Sequence, residues 1–267
     1  MAERQQPSFF NVDTEPVRRD LLAWFAANRR DLPWRRRRSL YGTWISEMML
    51  QQTTIATVVP YWERFLARFP DVETLAAASE SEVLSHWSGL GYYRRARQLH
   101  AAARLVMIEM GGVLPADTEG WRRLPGVGPY AAGAIASIGL GLPEPAVDAN
   151  VRRVLGRWLG AVDLTPAREQ AMIADFARNL VPPRDPGTWN EALMELGALV
   201  CSPRPAPPSS RRPWPGSPPR WPGTWRAIRP STRCPQKISG PPAASGMRSP
   251  VSAFMSPPWR FACPRRP

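Results

Sequence analysis

The spacing of apolar residues along positions 1–201 predicts an all-helical region. Apolar side chains recur at roughly every third or fourth position, as on one face of a helix, and no stretch shows the alternation typical of a half-buried strand. Gly111 and Gly112 predict a helix end, while Thr43 and Ser46 are candidate start signals for the helix that carries them. Helices are predicted over residues 16–30, 43–58, 61–69, 71–78, 80–88, 93–110, 117–124, 129–140, 149–160, 166–180 and 188–200.

The helical pattern stops after Cys201. Residues 202–267 contain 18 of the 32 prolines and no acidic residue, and proline removes the backbone donor that a helix needs. This composition predicts a disordered Pro/Arg-rich tail. A polyproline ligand is a weaker alternative, and the mixture of Arg, Pro and Trp without acids also suggests a GC-rich gene translated in a shifted frame.

The net charge of +13 comes almost entirely from this tail. Residues 1–201 contain 23 arginines and 22 acidic residues, whereas residues 202–267 contain 11 arginines and one lysine. The positive charge therefore does not by itself indicate that the helical region binds nucleic acid. The longest apolar run, residues 131–142, is shorter than the ~18 residues of a membrane helix, and the first residues lack a signal-peptide pattern. We expect no membrane partner.

The string LPGVGPY lies between two predicted helices. Its glycines permit a positive φ and a close approach of another backbone, and free N–H groups at the next helix start bind phosphate. This pattern predicts a helix–hairpin–helix motif that holds the DNA backbone through Leu124, Gly126, Val127 and Gly128. An ordinary helical hairpin with a glycine turn is the alternative, but the complete string is more specific than a lone GxG.

Two carboxylates are candidates for chemistry. Asp148 directly precedes a predicted helix, where aspartate commonly caps the helix start, and the same N–H groups would keep it ionised beside a developing sugar cation. Glu47 lies within the mostly apolar string WISEMMLQQTT. It is either a solvated edge residue or a half-buried acid whose raised pKa makes it a proton donor near neutral pH, and the spacing leaves both readings open.

Four strings, WISEMMLQQTT, SGLGYYRRARQLH, LPGVGPYAAGAIAS and PAVDANVRRVLGR, together resemble the MutY-type adenine DNA glycosylases of the helix–hairpin–helix base-excision superfamily. The resemblance extends from about Val17 to Cys201. It implies an all-α fold with a six-helix barrel at about 34–147 and a second helical domain from about 8–33 and 148–201. It also implies removal of adenine opposite 8-oxoguanine or guanine in double-stranded DNA, by a monomer in the bacterial cytoplasm, associated with the nucleoid.

The resemblance also implies roles for single residues. Glu47 matches the acid that protonates adenine, and Asp148 matches the carboxylate that stabilises the sugar cation. Tyr130 stands where lyase-type relatives carry a lysine nucleophile, which implies a monofunctional enzyme, and Asn150 resembles a residue that supports the carboxylate pair. The other matches are contacts to the extruded adenine by Trp34, Arg35 and Glu191, and a wedge into the duplex formed by Gln52, Leu90 and Tyr92.

The chain departs from this family at its cofactor ligands. The family holds a [4Fe–4S] cluster with the spacing C-x6-C-x2-C-x5-C, and Cys201 matches the first ligand. The other three positions hold Pro208, Arg211 and Ser217, and one thiolate cannot hold four irons. We therefore expect no bound cluster, and the cleavage itself requires none. Residues 202–267 also show no resemblance to the family's domain that reads 8-oxoguanine.

Three functions remain open from the sequence. A glycosylase is favoured because adenine leaves readily only when protonated, and a paired acid and carboxylate supply the logic used by glycosidases. A catalytically silent DNA-binding remnant would retain the hairpin without a working cleft. A bifunctional lyase resembling endonuclease III is disfavoured by Tyr130.

Overall fold

The computed structural model describes residues 14–159 and 165–201, and the predictions for residues 202–267 lie outside them. All regular structure in the described residues is helical, which confirms the predicted all-α class. No described helix is long and apolar enough to cross a membrane. The helices are α1 (Glu15–Asn28), α2 (Pro33–Arg36), α3 (Leu40–Leu50), α4 (Ile55–Arg68), α5 (Val72–Ala77), α6 (Glu80–Trp87), α7 (Arg94–Met110), α8 (Thr118–Arg122), α9 (Pro129–Ala134), α10 (Ala149–Leu159), α11 (Pro166–Leu180) and α12 (Pro186–Leu199).

The single helix predicted over residues 43–58 is wrong. Ser39, not Thr43 or Ser46, caps α3 by accepting the Gly42 N–H at 2.9 Å. The helix ends at Leu50, and Thr54 precedes α4 with an extended backbone that interrupts the predicted helix. A polar side chain able to bond its own backbone favours such a cap over a continuous helix.

The predicted break between residues 58 and 61 is wrong, because Pro60 does not interrupt the helix. It lies inside α4, where it removes only the hydrogen bond to the carbonyl of Ala56. Ala56 is exposed, so the residue that loses this donor is accessible to solvent. The predicted end of the 93–110 helix is confirmed, because α7 ends at Met110 and Gly111 adopts a left-handed φ of 60°.

Two hydrophobic cores lie within residues 14–201. The first is built around α3 to α9 and includes Trp44, Met48, Trp62, Phe65, Trp87 and Trp121. The second unites α1 with α10, α11 and α12 and includes Leu21, Phe25, Leu155, Phe176 and Trp189. A π-helical turn at Ile135–Gly139 packs against both α3 and α12 and so connects the two cores.

Small residues allow α12 to lie very close to its neighbours. A Cβ on Gly187 would stand 2.8 Å from the Ser137 carbonyl oxygen, and one on Gly197 would stand 3.0 Å from the Asn150 backbone. Real side chains do not tolerate such distances. The glycines therefore bring α12 against both the π-helical turn and the start of α10, next to the candidate site.

Candidate active site

A cavity of about 780 Å³ opens between α3, the start of α10 and α12. Its lining includes eight of the residues singled out from the sequence, although they are spread over more than 150 positions of the chain. The fold thus brings both candidate carboxylates and the candidate adenine contacts to one place. These eight residues are Trp34, Arg35, Glu47, Gln52, Tyr130, Asp148, Asn150 and Glu191.

Glu47 is buried, not at a solvated helix edge. Residues Tyr41–Met49 of α3 are all buried, so the helix has no polar face on which this carboxylate could reach solvent. Burial raises the pKa of Glu47 to about 7. A hydrogen bond from Tyr130 opposes this shift, while the negative charges of Asp148 and Glu191 add to it.

Tyr130 holds the Glu47 side chain in place. The Tyr130 hydroxyl donates to Oε2 of Glu47 at 2.7 Å and also lies 3.8 Å from the sulfur of Met194. Burial, followed by the neighbouring charge of Glu47, raises the pKa of Tyr130 well above its ordinary value. The phenol therefore stays protonated and acts as a hydrogen-bond donor.

Asp148 is held at the start of α10. Its Oδ1 accepts the N–H of Val151 at 2.7 Å, and its Oδ2 accepts the side-chain amide of Asn150 at 2.8 Å. Asn150 is oriented in turn by Arg153, which donates to its Oδ1 at 2.8 Å. Asp148 is thus a helix cap and a cavity-lining carboxylate at once, so the two readings of the sequence are compatible.

Asn190 positions the segment that leads into Asp148. This buried amide accepts the Ala146 N–H at 3.2 Å and donates to the Glu144 carbonyl at 2.8 Å. It also donates to the Ser137 hydroxyl of the π-helical turn at 2.8 Å. An irregular stretch of chain is thereby attached to both α12 and the turn beside α3.

A row of alternating charges forms one wall of the cavity. Arg35 donates to Glu191 and to Glu195, each at 3.1 Å, and Arg38 donates to Glu191 at 2.5 Å. Glu195 accepts both the backbone and the side chain of Arg30, with Nε at 2.8 Å. Burial opposes ionisation of Glu195, but these arginine bonds outweigh it and lower its pKa to about 2.

Three residues that shape the site were not predicted from the sequence: Glu195, Arg30 and Asn190. Glu195 was predictable from its spacing, because it follows Glu191 by four residues and so lies on the same face of α12. Arg30 and Asn190 were not, since both act through contacts more than 40 residues away along the chain.

The predicted hairpin forms a turn between α8 and α9. Gly126 has a positive φ of 81°, whereas Gly128 is extended and precedes Pro129. The side chains of Leu124 and Val127 are buried in the first core. Any contact with DNA at these positions would therefore be made by main-chain atoms.

Two of the three predicted wedge residues are exposed. Gln52 and Tyr92 both have a left-handed backbone, with φ values of 57° and 50°, and Tyr92 is 59% exposed. Leu90 is buried in the first core, so its entry into a duplex would require the side chain to move. The wedge stays a prediction.

Of the four positions that match the cluster ligands, the structure describes only Cys201. Its sulfur accepts a hydrogen bond from Arg157 at 2.9 Å, and the thiol is free. Within residues 14–159 and 165–201 no group of three or more His, Cys, Asp or Glu side chains could hold a metal ion. Since Pro208, Arg211 and Ser217 supply no thiolate, the residues present do not fit a four-iron cluster.

Comparison with known proteins identifies the family. Residues 45–179, which contain Glu47, the hairpin and Asp148, match the model of the HhH-GPD superfamily of base excision DNA repair proteins. The chain belongs to this superfamily. The match covers about half of the chain and confirms the resemblance seen in the four sequence strings.

Individual HhH-GPD relatives share most of the described region. The chain is 47% identical over 204 residues to the adenine DNA glycosylase of Rattus norvegicus, covering 72% of this chain and 39% of the rat protein. It is 43% identical over 188 residues to the adenine DNA glycosylase of Mycolicibacterium smegmatis, covering 69% and 63%. A thermostable thymine-DNA glycosylase superposes with a TM-score of 0.65 at 29% identity, covering 72% of this chain and 88% of that one. The chain thus spans less than two thirds of either adenine glycosylase.

Proposed function

We propose that this chain is a monofunctional DNA glycosylase that removes adenine mispaired with 8-oxoguanine or guanine in double-stranded DNA. The observation that carries the proposal is the buried Glu47, with a pKa of about 7, in the same cavity as Asp148. The printed names of the similar proteins from rat and Mycolicibacterium support adenine as the base. Superfamily membership supports base excision as the reaction class.

Glu47 serves as the proton donor in this scheme. Tyr130 occupies Oε2, which leaves Oε1 to carry the proton toward a base nitrogen. A carboxylic acid with a pKa near the working pH donates efficiently and is regenerated readily. Protonation turns adenine into a competent leaving group, so the C1′–N9 electron pair departs with the base.

Asp148 stabilises the positive charge that then develops on the sugar. Its carboxylate is oriented by the Val151 N–H and by Asn150, so little reorganisation is needed when the charge appears. Water adds to C1′ and its proton leaves through the carboxylate pair, which gives free adenine and an abasic site. Tyr130 offers a phenol and no amine, so no Schiff base forms and the strand stays intact.

The charged wall recognises the extruded base. Adenine presents alternating donors and acceptors along its edge, and Arg35 and Glu191 supply both kinds of group beside the cavity. Trp34 contributes an apolar face, and it packs edge-on against Trp62 at 5.9 Å. A mispaired adenine is extruded at lower cost than a paired one.

DNA binding uses the main chain of the hairpin at Leu124, Gly126, Val127 and Gly128, with Gln52, Leu90 and Tyr92 filling the gap left by the base. The cleavage itself requires no iron–sulfur cluster. We place the protein as a monomer with DNA in the cytoplasm, in line with a repair function.

The decisive experiment is single-turnover adenine release from duplexes that contain one A:8-oxoguanine or A:G pair, followed by alkaline cleavage of the abasic product. We expect Glu47→Gln to slow release by about 10³-fold, the scale of general-acid catalysis. Glu109→Gln, an exposed glutamate on α7, is the matched control and should release adenine at the wild-type rate.

Other outcomes identify the alternatives. Binding of the duplex without release by the folded wild-type protein would indicate a silent DNA-binding remnant. Borohydride trapping of a covalent protein–DNA adduct would indicate a lyase. Equal release by the wild type and Glu47→Gln would remove Glu47 from the mechanism.

A further inference from the structure

Arg95 is a buried cation that the proposed chemistry does not use. It lies at the start of α7, and its guanidinium reaches the end of α3. Its Nη1 donates to the carbonyl oxygens of Met48 at 3.2 Å and Met49 at 2.7 Å, and also to that of Gln51. Met48 and Met49 lie in the last turn of the helix that carries Glu47, where carbonyls have no partner within the helix, and Gln51 directly follows that helix.

The other terminal nitrogen of Arg95 contacts two loops. Its Nη2 donates to the Thr53 hydroxyl at 2.9 Å and to the Gly91 carbonyl at 3.3 Å. Burial lowers the pKa of Arg95, and the neighbouring Tyr92 opposes this shift. One guanidinium thus joins the 51–54 turn to the loop that precedes α7, using polar main-chain and hydroxyl acceptors instead of an ion pair.

Each of the two joined segments contains one strained residue. Gln52 and Tyr92 have positive φ values of 57° and 50° without being glycine, and such a backbone persists only where surrounding contacts hold it. Arg95 bonds the residue before each of them, Gln51 and Gly91. The Tyr92 ring also lies over the guanidinium, 5.2 Å from its Cζ.

We propose that Arg95 is a positioning residue that holds Gln52 and Tyr92 in the geometry for entering the duplex, and ties that geometry to the end of the Glu47 helix. This inference rests on the proposed function, because it assigns the wedge a fixed shape. Without the guanidinium, several buried carbonyls lose their donor and both turns can relax. Extrusion of the base then suffers before the chemistry does.

The test compares two adenine substrates under single-turnover conditions with the full chain. In the first duplex adenine is opposite guanine and stacked, and in the second it lies in a one-nucleotide bulge, where extrusion costs less. We expect Arg95→Met to slow release from the A:G duplex by about 30-fold and from the bulge by less than about threefold, given the cost of unsatisfied buried acceptors. Arg97→Met, on the same helix in an exposed ion pair with Glu80, is the control and should act like the wild type on both.

A second readout follows extrusion without cleavage. The fluorescence of 2-aminopurine placed beside the target adenine should rise when Glu47→Gln, which keeps Arg95, binds the duplex. The rise should be much smaller with the double variant Glu47→Gln, Arg95→Met. The inference would be overturned if Arg95→Met slowed adenine release from both duplexes equally. It would also be overturned if the 2-aminopurine fluorescence rose as much with Arg95→Met as without it. If circular dichroism shows that Arg95→Met is unfolded, Arg95→Lys is used instead, because it keeps the charge but has fewer donors. The ratio of its release rates from the two duplexes then tests the inference.

Failure of the proposed function gives a different result. If the wild type releases no adenine from either duplex, the glycosylase proposal fails, but the fluorescence comparison still decides the role of Arg95. A fluorescence change that depends on Arg95 would then support a wedge in a protein that binds DNA without cleaving it.

Discussion

Glu47 on α3 and Glu195 on α12 border the same cavity and are both almost fully buried, with exposures of 5% and 1%. Their pKa values lie far apart, at about 7 and about 2. Glu47 has one hydrogen bond from a neutral phenol and two carboxylates nearby. Glu195 accepts hydrogen bonds from two arginine side chains and one backbone N–H.

The difference shows that burial alone does not decide the protonation of a carboxyl group. Removing solvent disfavours the anion at both positions, and the neighbours then determine the outcome. Among the described residues no guanidinium bonds the Glu47 carboxyl, which leaves an acid ready to give up a proton. On the α12 side two guanidiniums hold a permanent anion, which orders the wall of the cavity.

The largest change in stability is expected from Glu195→Gln. At pH 7 the substitution should lower the free energy of unfolding by about 3 kcal/mol, because an amide donor would face Arg30 and the buried Arg35. Since the folded pKa of Glu195 is depressed, its contribution is present above the ordinary value of 4.5 and is lost as the pH falls toward 2. Urea unfolding should show the gap to wild type narrowing from pH 5 to pH 3, and a constant gap would contradict the assignment.

Glu47→Gln should show the opposite pH dependence. The folded pKa of Glu47 is raised from 4.5 to about 7, so the folded state binds a proton that the unfolded state has lost, and stability falls as the pH rises between these values. Relative to wild type, Glu47→Gln should gain about 2 kcal/mol between pH 5 and pH 8. Urea unfolding of both proteins at the two pH values measures this, and parallel curves would mean that Glu47 is ionised throughout.

A smaller effect is expected from Tyr130→Phe. The Tyr130 hydroxyl lowers the pKa of Glu47, so its loss should raise that pKa further and move the alkaline limb of the pH–rate profile to higher pH. Adenine release at pH 7 should slow about tenfold, the scale of one hydrogen bond. Single-turnover rates from pH 5.5 to 9 test this, and a limb that moves to lower pH would reverse the assigned role of the hydroxyl.

The smallest effect is expected from Asp31→Asn. Asp31 pairs with Arg36 on the surface, and this hydrogen bond lowers its pKa as the arginines lower that of Glu195. Solvent screens the exposed pair, so the midpoint of thermal unfolding should stay that of the wild type. A clear decrease in this midpoint would show that burial does not explain why the Glu195 ion pairs contribute more to stability than surface pairs.

Local sequence predicted most helices but misplaced the boundary nearest the site. The α7 helix was predictable because its apolar spacing ends in two glycines, both of which adopt a positive φ. The division between α3 and α4 was not, because Met48, Gln52 and Ile55 continue the helical spacing across it, while Thr54 and the donors of Arg95 stabilise a turn. Long-range hydrogen bonds here outweigh local helical periodicity.

Short stretches of sequence were sufficient to predict the all-α class, the glycine hairpin, the aspartate at a helix start and the superfamily, since each depends on residues close together in the chain. The sequence also shows that only one cysteine stands at a predicted cluster position. The burial of Glu47 and the pairing of Glu191 and Glu195 with arginines became apparent only from the folded chain. Those outcomes depend on α3, α10 and α12 meeting around one cavity, and the electrostatics of a carboxyl group depend on neighbours that its own stretch of chain does not contain.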